Sequence, residues 1–376
     1  MVSETKVMTS VVELLSALIR IPSVNPDGDP GTGKVGEKAC AEFLGDFLRS
    51  IGAEVELREV LPDRPNVIGK FPNPGKPRLL FAPHTDTVSV KGMVIDPFSG
   101  EVRDGRIWGR GSSDTKGPMA SMLWAMKELG SDISNLSHEI WFAGLVGEEA
   151  GQQGAAALAA QEKFDFVLAG EPTNLDAVHI SKSSNWFTLT MPGVAAHGAT
   201  PELGENAIYK MADVLRYLRG EIVPELASFK HDILGSPTMN VGIIQGGSKT
   251  NIVPDFCTVQ VDLRLTPALM RDGWLNTLRQ WLNKLWPELQ MDELRNMWPL
   301  DTPTDLPVMK KLQSVGSKFV GAPWFSDAAL FSAAGSPAIA IGPGSIAQAH
   351  TKDEFIAVAD LESGADFFTR FLRSLK

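Results

Sequence analysis

The chain has 376 residues, 43% of them hydrophobic and 21% charged, and a net charge of −10. A single core stops growing at roughly 250–300 residues, so this length favours two domains, and the composition is that of a globular protein rather than a disordered or fibrous one. The acidic balance argues against a nucleic-acid surface, which needs clustered Lys and Arg, and no apolar run reaches the ~18 residues of a membrane span.

The N-terminal stretch Met-Val-Ser-Glu-Thr-Lys-Val-Met-Thr-Ser lacks a basic segment followed by a continuous apolar one. It reads as the start of an amphipathic helix and not as a signal peptide, which places the protein in the cytoplasm. Cys40 lies on the stripe Cys40, Phe43, Leu44, Phe47, Leu48 and Ile51, which is helical spacing for a core thiol. With Cys257 as the other cysteine, no disulfide framework is implied.

Through residue 180 the pattern alternates between strands and helices. The apolar runs Arg78–Ala82 and Glu139–Val146 fit buried strands, and between them Met119, Met122, Leu123, Met126 and Leu129 follow a 3.6-residue period. This predicts an α/β fold, a mixed and mostly parallel sheet with helices on both faces.

Near Ser181 the pattern changes. A half-exposed strand at Trp186–Thr190 precedes a helix from about Gly204 to Leu218, then strands at Thr238–Gly246 and Phe256–Leu265. A second helix carries Trp274, Leu278, Trp281 and Leu285. Strand, helix, strand, strand, helix is most of a split βαβ unit. Residues 181–292 therefore read as an inserted α+β domain of ferredoxin-like type, with 1–180 and 293–376 forming the other domain. The α/β pattern returns with a strand at Pro337–Ile341 and a closing helix from Asp360.

Five polar segments punctuate this frame. In Phe81-Ala-Pro-His-Thr-Asp86, His84 and Asp86 sit two apart at a strand end and point the same way. A carboxylate on one imidazole nitrogen leaves the other for a metal, though a strand-end His paired with a turn Asp needs no metal. Asp114, in Gly109-Arg-Gly-Ser-Ser-Asp-Thr-Lys-Gly117, stands where a helix begins and could be only its N-cap. The glycines there let the backbone approach a bound group closely. Glu148 and Glu149 follow a continuous apolar strand, where adjacent glutamates are ordinarily solvated; the alternative gives Glu149 to metal and proton transfer to Glu148. Glu171 again follows an apolar strand, and His350 sits in the loop Gly342-Pro-Gly-Ser-Ile-Ala-Gln-Ala-His350. Ligand sites in open α/β sheets lie beyond the carboxyl ends of strands. Two histidines and three carboxylates there suit a pair of zinc ions with one carboxylate shared.

The chain resembles the zinc-dependent deacylases and peptidases that include acetylornithine deacetylase, succinyl-diaminopimelate desuccinylase, aminoacylase and glutamate carboxypeptidase. The marks are His84-Thr-Asp86, the Gly109–Gly117 string, Gly147-Glu-Glu149, Gly170-Glu-Pro-Thr173, Ala196-His-Gly-Ala-Thr-Pro201 with Gly204-Glu-Asn-Ala207, and Ala349-His-Thr-Lys-Asp-Glu354. The resemblance implies that His84 and Glu171 hold one zinc and Glu149 and His350 the other, with Asp114 bridging and Asp86 behind His84. Cobalt or manganese could substitute. It also implies a cis peptide after the bridging Asp, and an inserted domain that serves as lid and homodimer interface. His197 would stabilise the oxyanion in the neighbouring subunit, while Asn251, Arg264 and Ser326 would meet the substrate.

Two such ions lower the pKa of a water between them toward ~7, and Glu148 would take its proton and pass it to the leaving amine. The expected reaction is hydrolysis of the amide of an N-acyl-amino acid, acetylornithine-like by the loop before His350. Dipeptidase, carboxypeptidase or desuccinylase action on the same scaffold is the alternative, and a silent binding protein the remote one. The chain departs from the family at Lys182-Ser-Ser184 and at Trp324-Phe325, both where substrate would be read.

Overall fold

A computed structural model describes residues 8–27 and 33–376. The chain opens with helices α1 (Val11–Ile19) and α2 (Lys38–Ser50), then strands β1 (Glu54–Leu61), β2 (Arg64–Phe71) and β3 (Arg78–Pro83). Short strands β4 (Glu101–Arg103) and β5 (Arg106–Trp108) precede α3 (Lys116–Leu129), β6 (Glu139–Gly144), α4 (Gln153–Gln161), β7 (Phe166–Gly170) and β8 (Ala177–Ser181). Next come β9 (Ser184–Pro192), α5 (Ala207–Tyr217), α6 (Val223–Ser228), β10 (Thr238–Gly246), β11 (Phe256–Arg264), α7 (Pro267–Arg271), α8 (Trp274–Leu285) and β12 (Gln290–Met297). The chain closes with α9 (Pro307–Ser314), β13 (Phe319–Ala322), α10 (Asp327–Ala333), β14 (Ala338–Ile341), β15 (Phe355–Ala357) and α11 (Val358–Arg373).

Two compact units result. Unit 1 holds the chain up to His179, Thr302–Val320 and Ser326–Lys376; unit 2 holds Ile180–Asp301 and Gly321–Phe325. Unit 1 is built on the eight-stranded order β1-β2-β6-β3-β7-β14-β8-β13. Its central strands run parallel (β6 with β3, β3 with β7, β7 with β14), while β1, β2 and β8 pair antiparallel.

Because side chains alternate along a strand, each central strand of unit 1 feeds two layers. Leu79, Phe81, Ile140, Phe142, Phe166, Leu168, Ile339 and Ile341 join one core with α1, α2, α3 and α11. Phe81 meets Phe368 and Phe371 of α11 edge-on, with ring centres 6.0 and 6.4 Å apart. The alternate residues face the other way, where Trp141 meets Phe164 at 5.4 Å and Phe164 meets Phe331 of α10 at 6.2 Å. Both layers are dry, so polar groups are left to the strand ends.

Unit 2 carries the antiparallel order β10-β11-β9-β12. Its order along the chain, β9-α5-β10-β11-α8-β12, completes the ferredoxin-like pattern. Phe187, Leu189 and Met191 of β9 and Cys257, Val259, Val261 and Leu263 of β11 form one apolar face, covered by α5, α7 and α8. The expected insert boundary at 292 falls inside β12, which pairs with β9 from Gln290 to Met297.

Candidate metal centre

The polar segments that end β3, β6, β7 and β14 converge, together with the loop that enters α3. His84 follows β3 directly, pinned by Thr85, whose N–H donates to Leu145 O at 2.7 Å. Its Nδ1 lies 3.0 Å from the main-chain O of Asp86 and 3.3 Å from Asp86 Oδ1. Nε2 is thereby aimed at Asp114 Oδ1, 3.1 Å away. The other Asp114 oxygen lies 3.3 Å from His350 Nε2, which is also 3.1 Å from Glu149 Oε2. Ligand atoms of His84, Asp114 and Glu171 lie within 4.8 Å of one another, and so do those of Asp114, Glu149 and His350. Asp114 belongs to both groups.

Asp114 is not a helix cap. Thr115 holds the N-cap position of α3, and the Asp114 side chain turns instead to the two histidines. The Asp114–Thr115 peptide is cis. The glycines of this loop serve the loop itself. Gly111 has φ +85°, and a Cβ on Gly117 would stand 2.3 Å from Ser112 O.

Asp86 ties the centre together. Besides His84 it accepts from Asn25 Nδ2 at 2.7 Å and from the N–H groups of Glu148 and Glu149 at 3.1 and 3.0 Å. Burial would raise its pKa, but these partners hold it below the ordinary carboxylate value. Gln152 Nε2 donates to Glu148 Oε1 at 3.3 Å and to Asp327 Oδ1 at 3.2 Å. Burial, Glu171 and Asp327 push Glu148 well above the usual range, and burial with Asp114 does the same to Glu171. Glu149 is raised by burial and by Asp114. His84, although fully buried, is raised well above its ordinary value by Asp114 and Asp86. Contacts with Asp114 and Glu149 push His350 up to about 10.

These shifts share one origin. Two like unit charges 4 Å apart repel by about 4 kcal/mol at an effective dielectric of about 20, so gathered carboxylates draw protons onto themselves and their imidazoles unless a cation replaces them. Glu149 Oε1 is buried without a hydrogen-bond partner among the described residues. An oxygen left so needs a partner, and a divalent ion fits the donor set of nitrogen and carboxylate oxygen. His350 has a side chain 56% exposed against 9% or less for Asp114 and Glu149, so the centre opens on the His350 side.

Of the other expected residues, Ser326 is buried at the N-cap of α10, beside Asp327. Within unit 2, His197 and Asn251 are neighbours: His197 pairs with Ile252, and Gly198 N–H donates to Asn251 O at 2.8 Å. Arg264 donates through Nε to Asp262 Oδ1 at 2.8 Å, an oxygen it shares with Trp186 Nε1. The two family departures are packed within unit 2. Buried Lys182 donates to Ser236 O at 2.5 Å, and Phe325 and Trp186 each lie against the Arg295 guanidinium.

Sequence reading missed Asn25, Arg110, Gln152, Asp327 and Glu354 as members of this region. Glu354 is the largest omission. It is fully buried, paired with Arg110 at 2.7 Å, and accepts from the loop that carries Asp114. Burial raises its pKa, while Arg110 and the loop N–H groups pull it down. Both Arg110 and Glu354 lie inside the quoted motifs, so proximity to Asp114 and His350 in sequence was the available signal.

The model of peptidase family M20/M25/M40 matches residues 80–374. Acetylornithine deacetylase of Proteus mirabilis (strain HI4320) is 30% identical over 375 residues, covering 94% of each chain. An M20 family metallo-carboxypeptidase from Sulfolobus solfataricus is similar with a TM-score of 0.77 at 20% identity, covering 98% of this chain and 99% of its own. A tripeptidase from Staphylococcus aureus subsp. aureus Mu50 also gives 0.77 at 20% identity, over 97% of both. The chain belongs to peptidase family M20/M25/M40, and it is a metal-dependent amide hydrolase.

Proposed function

For this member of the M20/M25/M40 peptidases, we propose hydrolysis of the amide of an N-acyl-amino acid, with acetylornithine-like substrates first among them. The observation that carries the reading is the shared carboxylate of Asp114, set between two groups that can each hold a metal ion. Similarity to acetylornithine deacetylases over 94% of the chain supports the acyl-amino acid as substrate.

His84, Asp114 and Glu171 would hold one zinc ion, and Asp114, Glu149 and His350 the other. The bound pair would supply Lewis acidity, polarising the amide carbonyl and making a water acidic enough to ionise near neutral pH. The chain's own residues handle the rest. Asp86 fixes the His84 tautomer with Nδ1–H turned inward. Glu148, outside both groups, is assigned as the proton carrier, taking a proton from the water and returning it to the leaving amine. Gln152 holds its Oε1 in place.

Unit 2 is assigned to the dimer contact and to substrate recognition. The edge strand β10 leaves Val241, Ile243 and Ile244 exposed, and α5 leaves Ile208 and Tyr209 exposed, an apolar sheet edge suited to pairing with a second copy. His197 Nδ1 accepts from Ala199 N–H at 3.1 Å, so Nε2 carries the ring proton, the form that donates to an oxyanion in the neighbouring subunit. Asn251 and Arg264 are assigned to the carboxylate or acyl group, and Ser326 to substrate from the α10 end. Two free buried cysteines suit a reducing cytoplasm.

One panel decides the substrate: N-acetyl-, N-succinyl- and dipeptide substrates, assayed with defined zinc. The proposal expects the highest kcat/KM on an N-acetyl-amino acid. Preference for dipeptides would replace it with the peptidase alternative, and no turnover on any member would overturn the catalytic reading.

A further inference from the structure

Four residues beyond His350, the buried side chain of Glu354 gathers the segments that build the centre. Its Oε1 accepts from the N–H groups of Ser113 and Asp114 at 2.9 and 3.0 Å. Its Oε2 accepts from Gly111 N–H at 3.2 Å and from Arg110 Nη1 at 2.7 Å. Arg110 in turn donates through Nη2 to Ser89 O at 3.1 Å, three residues past Asp86. The main chain adds a further tie, Gly109 N–H to Glu354 O at 3.0 Å. One carboxylate therefore joins the segment after His84, the loop of Asp114 and the loop of His350.

The donors are what make this more than a buried ion pair. Asp114's own N–H is one of them, so the direction of Asp114 is set from its main chain by Glu354. The two Asp114 oxygens need that direction, because one faces His84 and the other faces His350. The two metal groups also depend on Glu354 unequally. His84 and Glu171 are held at the ends of β3 and β7, whereas His350 rides on the same loop as Glu354. Loosening Glu354 disturbs two of three ligands in the Asp114, Glu149, His350 group and one of three in the other.

We propose that Glu354 is the positioning residue of the dinuclear centre: through the Ser113 and Asp114 N–H groups it holds the shared carboxylate across both ion positions, and it sets the affinity of the Glu149–His350 position in particular. This rests on the metal-centre reading above. A residue outside the ligand set that orients a ligand typically costs 10–100-fold in metal affinity when changed.

The test is Co²⁺ loading of the full chain after chelator treatment, followed by equilibrium dialysis and cobalt absorbance, for wild type and Glu354→Gln. The glutamine keeps the volume but turns an NH₂ group toward donors. The expected result is two Co²⁺ per wild-type chain. In the variant one site should keep its wild-type affinity and the other should be reduced about 10–100-fold, with substrate KM unchanged and kcat recovering as Co²⁺ is raised. Two sites of wild-type affinity in a variant that merely melts earlier would overturn the inference, and so would equal weakening of both sites. Should Glu354→Gln not fold, Arg110→Lys removes only the guanidinium fork. It should weaken the second site alone by a few-fold, and wild-type binding there would overturn the inference equally. Fewer than two Co²⁺ on wild type would instead overturn the metal-centre reading itself.

Discussion

The sheets of the two units solve different problems with the same alternating strand. In unit 1 every residue of β7 and β14 is buried, so the middle of the sheet has no wet face and its chemistry is displaced to the strand ends. In unit 2, β11 alternates between covered and uncovered positions, and its partner β10 is exposed along most of its length. One sheet concentrates charge at a point; the other spreads polar and apolar groups over a face and an edge. A two-sided dry sheet thus specifies where a reaction centre must be, while a one-sided sheet specifies a surface for recognition.

Four substitutions and one titration probe that division. Glu148→Ala should lower kcat by about 10²–10⁴-fold while two metal ions stay bound, which checks that proton transfer is separate from metal binding; metal analysis beside turnover reads both, and substantial residual activity with full metal would remove Glu148 from that role. His197→Ala should cost about 10²–10³-fold in kcat with metal content untouched, since it deletes one oxyanion donor. Unchanged turnover would confine catalysis to unit 1. Asp86→Asn should weaken metal by about 10–100-fold, because the negative charge beside His84 is lost and one of the two oxygens that accept from the Glu148 and Glu149 N–H groups becomes an NH₂ donor; chelator competition measures it. Ile243→Lys on the β10 edge should shift the proposed dimer toward monomer in light scattering and leave metal content unchanged. Smallest is the proton count. His350, at about 10 without metal, and the raised His84 keep protons at neutral pH that ligation must displace, so zinc affinity should rise with pH. Calorimetry in two buffers of different ionisation enthalpy should find at least one proton released per chain.

The centre was legible because its pieces are local. His84 and Glu171 each follow a dry strand, and that placement is visible as an apolar run ending in a polar group. What joins the pieces was not legible. Asn25 meets Asp86 across 61 positions, and Gln152 meets Asp327 across 175. No period or spacing encodes such contacts; they arise only when the sheet brings loops together. Strand β12 escaped notice for a different reason. Its sequence Gln-Met-Asp-Glu-Leu-Arg-Asn-Met lies at a sheet edge and is buried at no position, so the alternation that betrays β11 is faint. The role of the Glu354 carboxylate is hidden because three of its four donors are backbone N–H groups, which a sequence does not display, and the fourth, Arg110, lies 244 positions away.

The central claim is that Asp114 is shared by two metal ions. Anomalous diffraction at the zinc edge, from crystals grown with zinc, tests it most directly. Two peaks should appear per chain, one among His84, Asp114 and Glu171 and one among Asp114, Glu149 and His350. A single peak, or peaks that leave Asp114 out, would contradict the account.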